Sequence, residues 1–472
     1  MLIKRRRYLT KKMEGNMKRV SKKLMAFLLV SVLAMGLVAC GAKKPANNNN
    51  NNPTTTKAPD KDTDKDGDKD PGNTPAPATL NVWHQWSNDT NELKKVYDEA
   101  VAAYIAENPH VTINTETLDT EAYKTKISAE FSGNASGIDV FYYWGAGTAR
   151  KLVNADKLLP LDDYLTDEVK AKILPGSTSA FEYNGKTYSV PMFSWYMTLY
   201  ANKALFDQAG ATLPTTYDEL VAAVEKLSAL DGVTPIAAGA KDGWNAAFIY
   251  QALALREVGA VNINKMLSGE IPFEDPGYMA AAQKVVDLYN AGAFGKNPLE
   301  AGNDEANSAF ISGTAAMRIM GSWFANQVYT DSTATINPDD VVALKIPVME
   351  GKGDASDYAG GFVESFWVNK NTANPDEAVK FTLYINEVMG KAAYETGTGF
   401  CGWNVELDES KLNPLFVQIK ELLASSVNGV LAWDTSLDSN PAAIHNEEVQ
   451  TLFAPNANLE GFIENHKGSI NQ

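Results

Sequence analysis

The sequence predicts an α/β protein built on a mostly parallel, doubly wound sheet, and three observations carry that expectation. From Thr79 onward, apolar strands alternate with amphipathic helices; strand–helix–strand–helix–strand order is the pattern of a parallel sheet covered on its faces. The 472 residues suffice for one large or two medium domains with ample core. Aromatic residues gather at Trp83–Trp86 and at Tyr143-Trp144, where two expected strands end, and ligands of such sheets sit beyond the strand C-termini.

The chain begins with segments that belong to no domain. Residues 1–16 are basic and resemble neither a signal nor a fold. Met13-Glu14-Gly15-Asn16-Met17 can be encoded with a GGAGG ribosome-binding sequence ahead of Met17, so translation is expected to start at Met17. Lys18 to Lys23 then form a basic region and Leu24 to Val38 an apolar run, too short for a comfortable membrane span and expected to be a signal peptide over 17–39. It ends in Leu37-Val38-Ala39-Cys40-Gly41, which resembles the bacterial lipobox. Cys40 is therefore the expected lipidation site; the plainer alternative is a secretory signal with a chance cysteine. Acyl chains at Cys40 would tether the protein by burying methylenes in the bilayer.

Residues 40–78 are rich in Asn, Pro, Thr, Asp and Lys and hold too little apolar surface to offset ordering entropy, so a disordered spacer is expected. Asp62-Thr63-Asp64-Lys65-Asp66-Gly67 imitates the start of an EF-hand loop, but Asn73 stands where the bidentate Glu belongs and Pro71 precedes it. A solvated charged linker is the better reading. Cys401 is the one other cysteine. With Cys40 lipidated no intrachain disulfide can form, and stability must come from the core.

Charge is unevenly spread. The net −16 conceals ten Lys/Arg and one Glu in residues 1–40; the remainder carries 32 Lys/Arg against 57 Asp/Glu, a net −25. Such a surface disfavours nucleic acid and anionic lipid as partners.

In the body, Leu80–Trp83 reads as a strand, and Asn91 to Glu107 as a helix with Leu93, Tyr97, Ala100, Val101, Tyr104 and Ile105 on one face. His110 to Thr115 alternates as a second strand, Tyr123 to Phe131 reads as helix, and Ile138 to Tyr142 as a third strand. Thr216-Tyr217-Asp218-Glu219 is a capping box opening a helix to Leu230. Asn374-Pro375-Asp376-Glu377 starts another, with proline in its first turn. The last seventy or so residues read as helices and loops. No internal repeat is evident, and no segment after residue 40 is apolar enough to span a membrane.

Several segments, in order, resemble the extracellular solute-binding proteins of ABC importers, specifically the carbohydrate-binding group. They are the lipobox and spacer, the strand ending in Trp83, Gly137-Ile138-Asp139-Val140-Phe141-Tyr142-Tyr143-Trp144, and Tyr183-Asn184-Gly185-Lys186-Thr187-Tyr188-Ser189-Val190-Pro191. Tyr200-Ala201-Asn202-Lys203 with Pro214 to Glu219, Gly313-Thr314-Ala315-Ala316-Met317-Arg318-Ile319-Met320-Gly321-Ser322-Trp323, Gly360-Gly361-Phe362 and Asn374 to Ala378 follow. No single motif is specific; the ordered set over residues 79–472 is. The resemblance implies a two-lobed, periplasmic-binding-protein-like (type II) α/β fold with a hinge and an interlobe ligand cleft. Crossings are expected near Val190–Phe193, Lys345–Val348 and Gly397–Cys401. The N-terminal lobe would comprise 79–190 and 349–397, and the C-terminal lobe 191–348 and 398–472.

Sugars present flat C–H faces to rings and a hydroxyl rim to carboxylates and amides, and the rim sets specificity. The resemblance carries ligand contacts to Trp83, Gln85 and Trp86, to Asp119, Tyr143 and Trp195, to Asp242 and Trp244, to Trp323, and to Trp433 with Asp434. Trp144, Phe362, Glu364 and Trp403 join them as candidates. For each aromatic the competing reading is core packing, which is preferred for Trp367 in Phe366-Trp367-Val368-Asn369. Ser87 and Asn88 stand where the family often shows charged groups, which leaves the sugar open. His84 lacks partners at metal-ligand spacing, as do His110, His445, His466 and Cys401, so no metal and no cofactor are expected.

Gly397-Thr398-Gly399-Phe400-Cys401-Gly402 fits a dinucleotide fingerprint by spelling alone; it follows a helix instead of a strand and reads better as the third crossing. No Walker A sequence is present, so ATP hydrolysis would belong to a partner. The expected function is capture of an oligosaccharide and delivery to ABC permease subunits with their ATPase, by a monomer lipid-anchored at the extracellular face of the cytoplasmic membrane of a Gram-positive type of host. The rivals are a secreted glycoside hydrolase, whose clefts are also aromatic and acidic, an immobile carbohydrate-anchoring module, and a binder of peptide or polyamine on the same fold.

Overall fold

The computed structural model describes residues 75–89 and 91–470. The chain separates into two units at Gly72/Asn73, and every described residue belongs to the second. The proposed start at Met17, the signal segment, Cys40 and the calcium-like run lie outside the described residues.

The first sheet forms as its alternation requires. Strands β1 (Ala78–His84), β2 (Val111–Thr117) and β3 (Val140–Trp144) are parallel, with Leu80 opposite Ile113 and Val82 opposite Val140. The helix Glu92–Glu107 connects the first two and buries Leu93, Tyr97, Ala100 and Tyr104; Asn91 caps it, its side chain accepting from the Leu93 N–H at 2.9 Å. Helix Thr120–Ser132, capped by Asp119, connects β2 to β3. The first strand starts at Ala78, inside the stretch expected to be spacer.

The chain then enters a second sheet. Strand β4 (Phe193–Asn202) is buried along its whole length. It is followed by β5 (Thr234–Ile236), β6 (Ala315–Gly321), β7 (Val341–Leu344) and β8 (Tyr358–Phe362). Strand β9 (Glu364–Val368) returns to the first sheet, antiparallel to β3. Strand β10 (Phe400–Cys401) pairs with β4, and β11 (Gly429–Val430) with β8. The sheet orders are thus β9-β3-β1-β2 and β11-β8-β4-β6-β5. The mostly parallel expectation describes the first sheet. The second is mixed, because β4 runs antiparallel to β6, β7, β8 and β10.

Crossings between the sheets occur near Pro191, at Val363 and at Phe400–Trp403. The second corrects the expected position near Lys345–Val348. Tyr358–Phe362 still pairs with the second sheet, Gly361 opposite Trp195, so residues 349–362 lie with that sheet and not with the first. The first and third crossings are clamped to each other, the Trp403 Nε1–H donating to the Pro191 carbonyl at 2.7 Å. The capping box at Thr216 and Glu219 forms as expected, and helix Pro375–Glu395 begins at the anticipated proline. The C-terminal helices pack on the second lobe, where His445 Nδ1 and His466 Nε2 meet at 2.9 Å in the core. Among the described residues no helix is long and apolar enough to cross a membrane, and Cys401 is buried and unpaired.

Candidate functional site: an aromatic cleft between two lobes

Strand ends dictate the first wall. After β1 stops at His84, Gln85 and Trp86 turn into a cavity of about 710 Å³. The Trp86 ring is held against His84 and Tyr142, centroids 5.0 Å away in each case. His84 is fully buried, its Nδ1 accepting from the Trp86 N–H at 3.2 Å. Burial, with Lys94 adding, pushes its pKa down to about 3, so it braces Trp86 as a neutral ring. At the end of β3, Tyr143 and Trp144 line the same cavity, and Trp144 packs edge-on against Tyr142 at 5.2 Å.

The second wall is an aromatic cluster. Trp195 on β4 stacks on Phe248 at 5.3 Å and 21°, and Trp323 meets Trp195 edge-on at 5.5 Å. Trp244 contacts Phe248 edge-on at 5.3 Å. Trp323 stands two residues past the end of β6 and folds back over it: a Cβ on Gly321 would lie 2.2 Å from the Trp323 ring, so glycine there is a condition of the ring's position. The walls approach closely. The Lys124 ammonium, paired with Glu121 at 3.0 Å, lies 5.4 Å from the Trp144 ring and 5.7 Å from that of Trp244. Beside the cavity, Arg150 pairs with Asp438 at 2.8 Å, and a Cβ on Gly147 would sit 2.1 Å from the Leu437 carbonyl oxygen.

Polar groups complete the lining. Asp119, Glu364 and Asp434 face the cavity. Burial pushes the Glu364 carboxyl up to about 8; at neutral pH it keeps its proton and is able to donate. Burial also raises Asp434, with Lys124 opposing. Gln85 Oε1 and Asn446 Oδ1 are buried cleft atoms with no hydrogen-bond partner among the described residues. Unpaired buried acceptors are costly, and a bound hydroxyl would satisfy them.

Of the candidate residues, Gln85, Trp86, Asp119, Tyr143, Trp144, Trp195, Trp244, Trp323, Glu364 and Asp434 line the cavity. Five do not. Trp433 is 1 % exposed and packs edge-on to Tyr250 and Tyr278 in the lobe core; on its short helix the next residue, Asp434, faces the cleft instead. Trp83 lies under the Lys126 ammonium, 4.5 Å away, outside the cavity lining. Trp403 is buried at the crossing it clamps. Phe362 is half-buried beside Gly402. Asp242 accepts from the Asn303 N–H at 2.7 Å, tying two helix starts together. Trp367 is core, its Nε1–H donating to the Tyr143 carbonyl.

The sequence reading missed Phe248, Lys124 and the polar face of helix Asn303–Ile311, where Asn303, Asp304 and Asn307 line the cleft. Signals existed: Phe248 stands four residues from Trp244, and Asn303 four from Asn307, so each pair shares a helix face. Among the described residues no group of His, Cys, Asp and Glu is arranged to hold a metal ion.

Two lobes joined by crossings around a lined cleft define the two-lobed solute-binding architecture. The chain belongs to the bacterial extracellular solute-binding protein family, whose model matches residues 87–385, more than half its length. That family consists of solute-binding proteins, not enzymes. A solved chain from work on xylan utilization by the thermophilic bacterium Caldanaerobius polysaccharolyticus is 34% identical, with a TM-score of 0.79 over 83% of this chain and 100% of that one. A chitin oligosaccharide binding protein shares the fold at a TM-score of 0.74 and 24% identity, over 84% of this chain and 99% of that one. An uncharacterised ABC transporter extracellular-binding protein of Pyrococcus horikoshii is 25% identical over 65% of this chain and 68% of its own length.

Proposed function

We propose that this protein captures a neutral oligosaccharide between its lobes and delivers it to an ABC importer, with xylo-oligosaccharides the first class to test. The observation that carries this reading is the cleft itself: rings on both walls, acceptors without partners, and about 710 Å³ of space, within the roughly 300–1,000 Å³ of small-molecule sites. Rings bury the sugar faces, and amides and carboxylates meet the hydroxyl rim. The lining acids Glu92, Asp119, Asp304, Asp331 and Asp434 outnumber Lys124 and Lys151, which disfavours uronic or phosphorylated sugars. The xylan preference is supported by the 34% identity over the full length of the Caldanaerobius chain.

In this reading Trp86, Tyr143, Trp144, Trp244 and Trp323 stack on sugar, and Gln85, Asp119, Glu364 and Asp434 bind its rim. Contacts from both lobes stabilise the closed form. The protein acts as a monomer, anchored outside the cytoplasmic membrane by lipid at Cys40, with residues 40 to about 77 giving it reach to the permease. A tryptophan-fluorescence titration of the mature chain with xylo-, cello-, malto-, manno-, fructo- and raffinose-type oligosaccharides tests it. A saturable change with one class, and no new reducing ends, is expected. Silence across the panel, or cleavage, defeats the proposal.

A further inference from the structure

We propose that Arg318 is a positioning residue for the cleft: from inside the second lobe it fixes which way the amide groups of the second-lobe wall face, and hence which hydrogen bonds that wall offers a ligand. The functional half of this inference rests on the oligosaccharide reading above.

Arg318 lies in the middle of β6, Ala315-Ala316-Met317-Arg318-Ile319-Met320-Gly321, a strand buried at every position. It is itself fully buried and does not line the cavity. Its guanidinium donates from Nη1 to the carbonyls of Ala237 (2.9 Å) and Ala238 (3.2 Å), from Nη2 to Asn245 Oδ1 (2.6 Å) and Asn303 Oδ1 (3.1 Å), and from Nε to Asn307 Oδ1 (3.0 Å). All five acceptors are neutral. Burying a cation without a carboxylate against it is expensive, and burial pulls its pKa down to about 9, with Asp242 and Asp304 opposing. An apolar side chain would fill a strand interior more cheaply, so packing does not account for arginine here.

Orientation does. A guanidinium has five donors and no acceptor, so any amide atom it touches must be oxygen. The assignment of oxygen and nitrogen in these asparagines, ordinarily ambiguous, is therefore forced. With Asn307 Oδ1 turned inward, its Nδ2 faces Gln327, and the Gln327 atom it meets at 3.2 Å must be Oε1. Gln327 then has only Nε2 left for Asp331, and it contributes to holding that carboxylate: burial works against the Asp331 charge, but hydrogen bonds from Thr333 and Gln327 keep its pKa below the usual range. A second branch is shorter. Asn303 accepts from Arg318 and donates from Nδ2 to Asp304 Oδ1 at 2.9 Å. Both branches run from one buried cation through amides to carboxylates that line the cleft. Every amide points the same way, leaving Asp304 and Asp331 as fixed acceptors for ligand hydroxyls.

Asn307→Asp tests this without changing side-chain size, and the new carboxylate gives the guanidinium an ionic partner, so the fold is retained. That carboxylate has no proton to offer Gln327. Gln327 must turn Nε2 toward it and present Oε1 to Asp331, reversing the branch. Two measurements on the full mature chain follow. The ¹³C carboxyl titration of Asp331 is expected to move to higher pH in Asn307→Asp and in Arg318→Met. Calorimetric affinity for whichever oligosaccharide of the panel binds the wild type is expected to fall at least tenfold in Asn307→Asp and less in Arg318→Lys than in Arg318→Met. An unchanged Asp331 titration, or affinity within twofold despite a moved titration, overturns the proposal. A wild type that binds no sugar defeats the oligosaccharide reading, while the Asp331 titration still decides whether Arg318 sets the orientation.

Discussion

The first-lobe wall hangs its rings from the ends of parallel strands, whereas the second-lobe wall stands on a helix, a crossing strand and a buried arginine. On the first wall the backbone does the positioning: Trp86, Tyr143 and Trp144 leave β1 and β3 where the sheet stops, and neutral His84 holds Trp86 from behind. On the second wall side chains position one another, through the stack of Trp195 on Phe248 and the edge contacts of Trp323 and Trp244. A wall set by strand ends tolerates loss of one ring; a wall set by mutual packing propagates it.

Substitutions separate these behaviours, and the largest effect should fall on a ring that belongs to neither wall. Trp433→Ala empties the second-lobe core and should cost about 3–5 kcal/mol of stability by chemical denaturation, whereas Trp433→Phe should leave sugar affinity within about twofold. Trp323→Ala should weaken binding by about 2–3 kcal/mol, roughly 30- to 150-fold in Kd by calorimetry. Gly321→Ala should reproduce much of that loss with the indole still present, because the added methyl occupies the space of the Trp323 ring; unchanged affinity would mean the ring position is not set by that glycine.

Glu364 supplies a pH signature at the floor. Unfolded, it ionises in the ordinary carboxylate range; folded, only near 8. Between those values the folded state holds a proton the unfolded state has lost, so stability falls as pH rises through that window and levels off above it. Glu364→Gln removes this term. Its Tm should exceed that of the wild type by a few degrees near pH 7.5 and match it near pH 4. The smallest effect is expected at Lys124, whose ammonium lies near one ring of each wall. Lys124→Met should change Kd by about two- to fivefold, the range of an exposed cation–π contact, and flatten its salt dependence.

The same contrast explains what was legible in the sequence. The first sheet was readable because alternation and helix capping act locally, and its cleft residues sit at strand ends, which periodicity locates. The second crossing was not. Gly360-Gly361 stood out only as a family landmark; both residues are paired with β4, and a Cβ on Gly360 would lie 2.1 Å from the Trp195 carbonyl oxygen. Their φ values are 142° and 145°, and a Cβ on Gly361 would lie 2.6 Å from the Leu431 side chain. Trp433 was expected in the cleft beside Asp434 but lies in the core, because a four-residue helix carries no periodicity from which to read its facing side. Arg318 was visible as a lone cation in an apolar strand, but its partners come from Ala237, Ala238, Asn245, Asn303 and Asn307, distant in sequence and joined only by the fold.

The most direct test of a ligand gripped by both walls is a calorimetric titration of the wild type, Trp144→Ala and Trp323→Ala with the oligosaccharide selected by the fluorescence panel. Both substitutions should weaken binding, Trp323→Ala the more, with the sugar recovered uncut. An unchanged Kd for either one would contradict capture between the lobes.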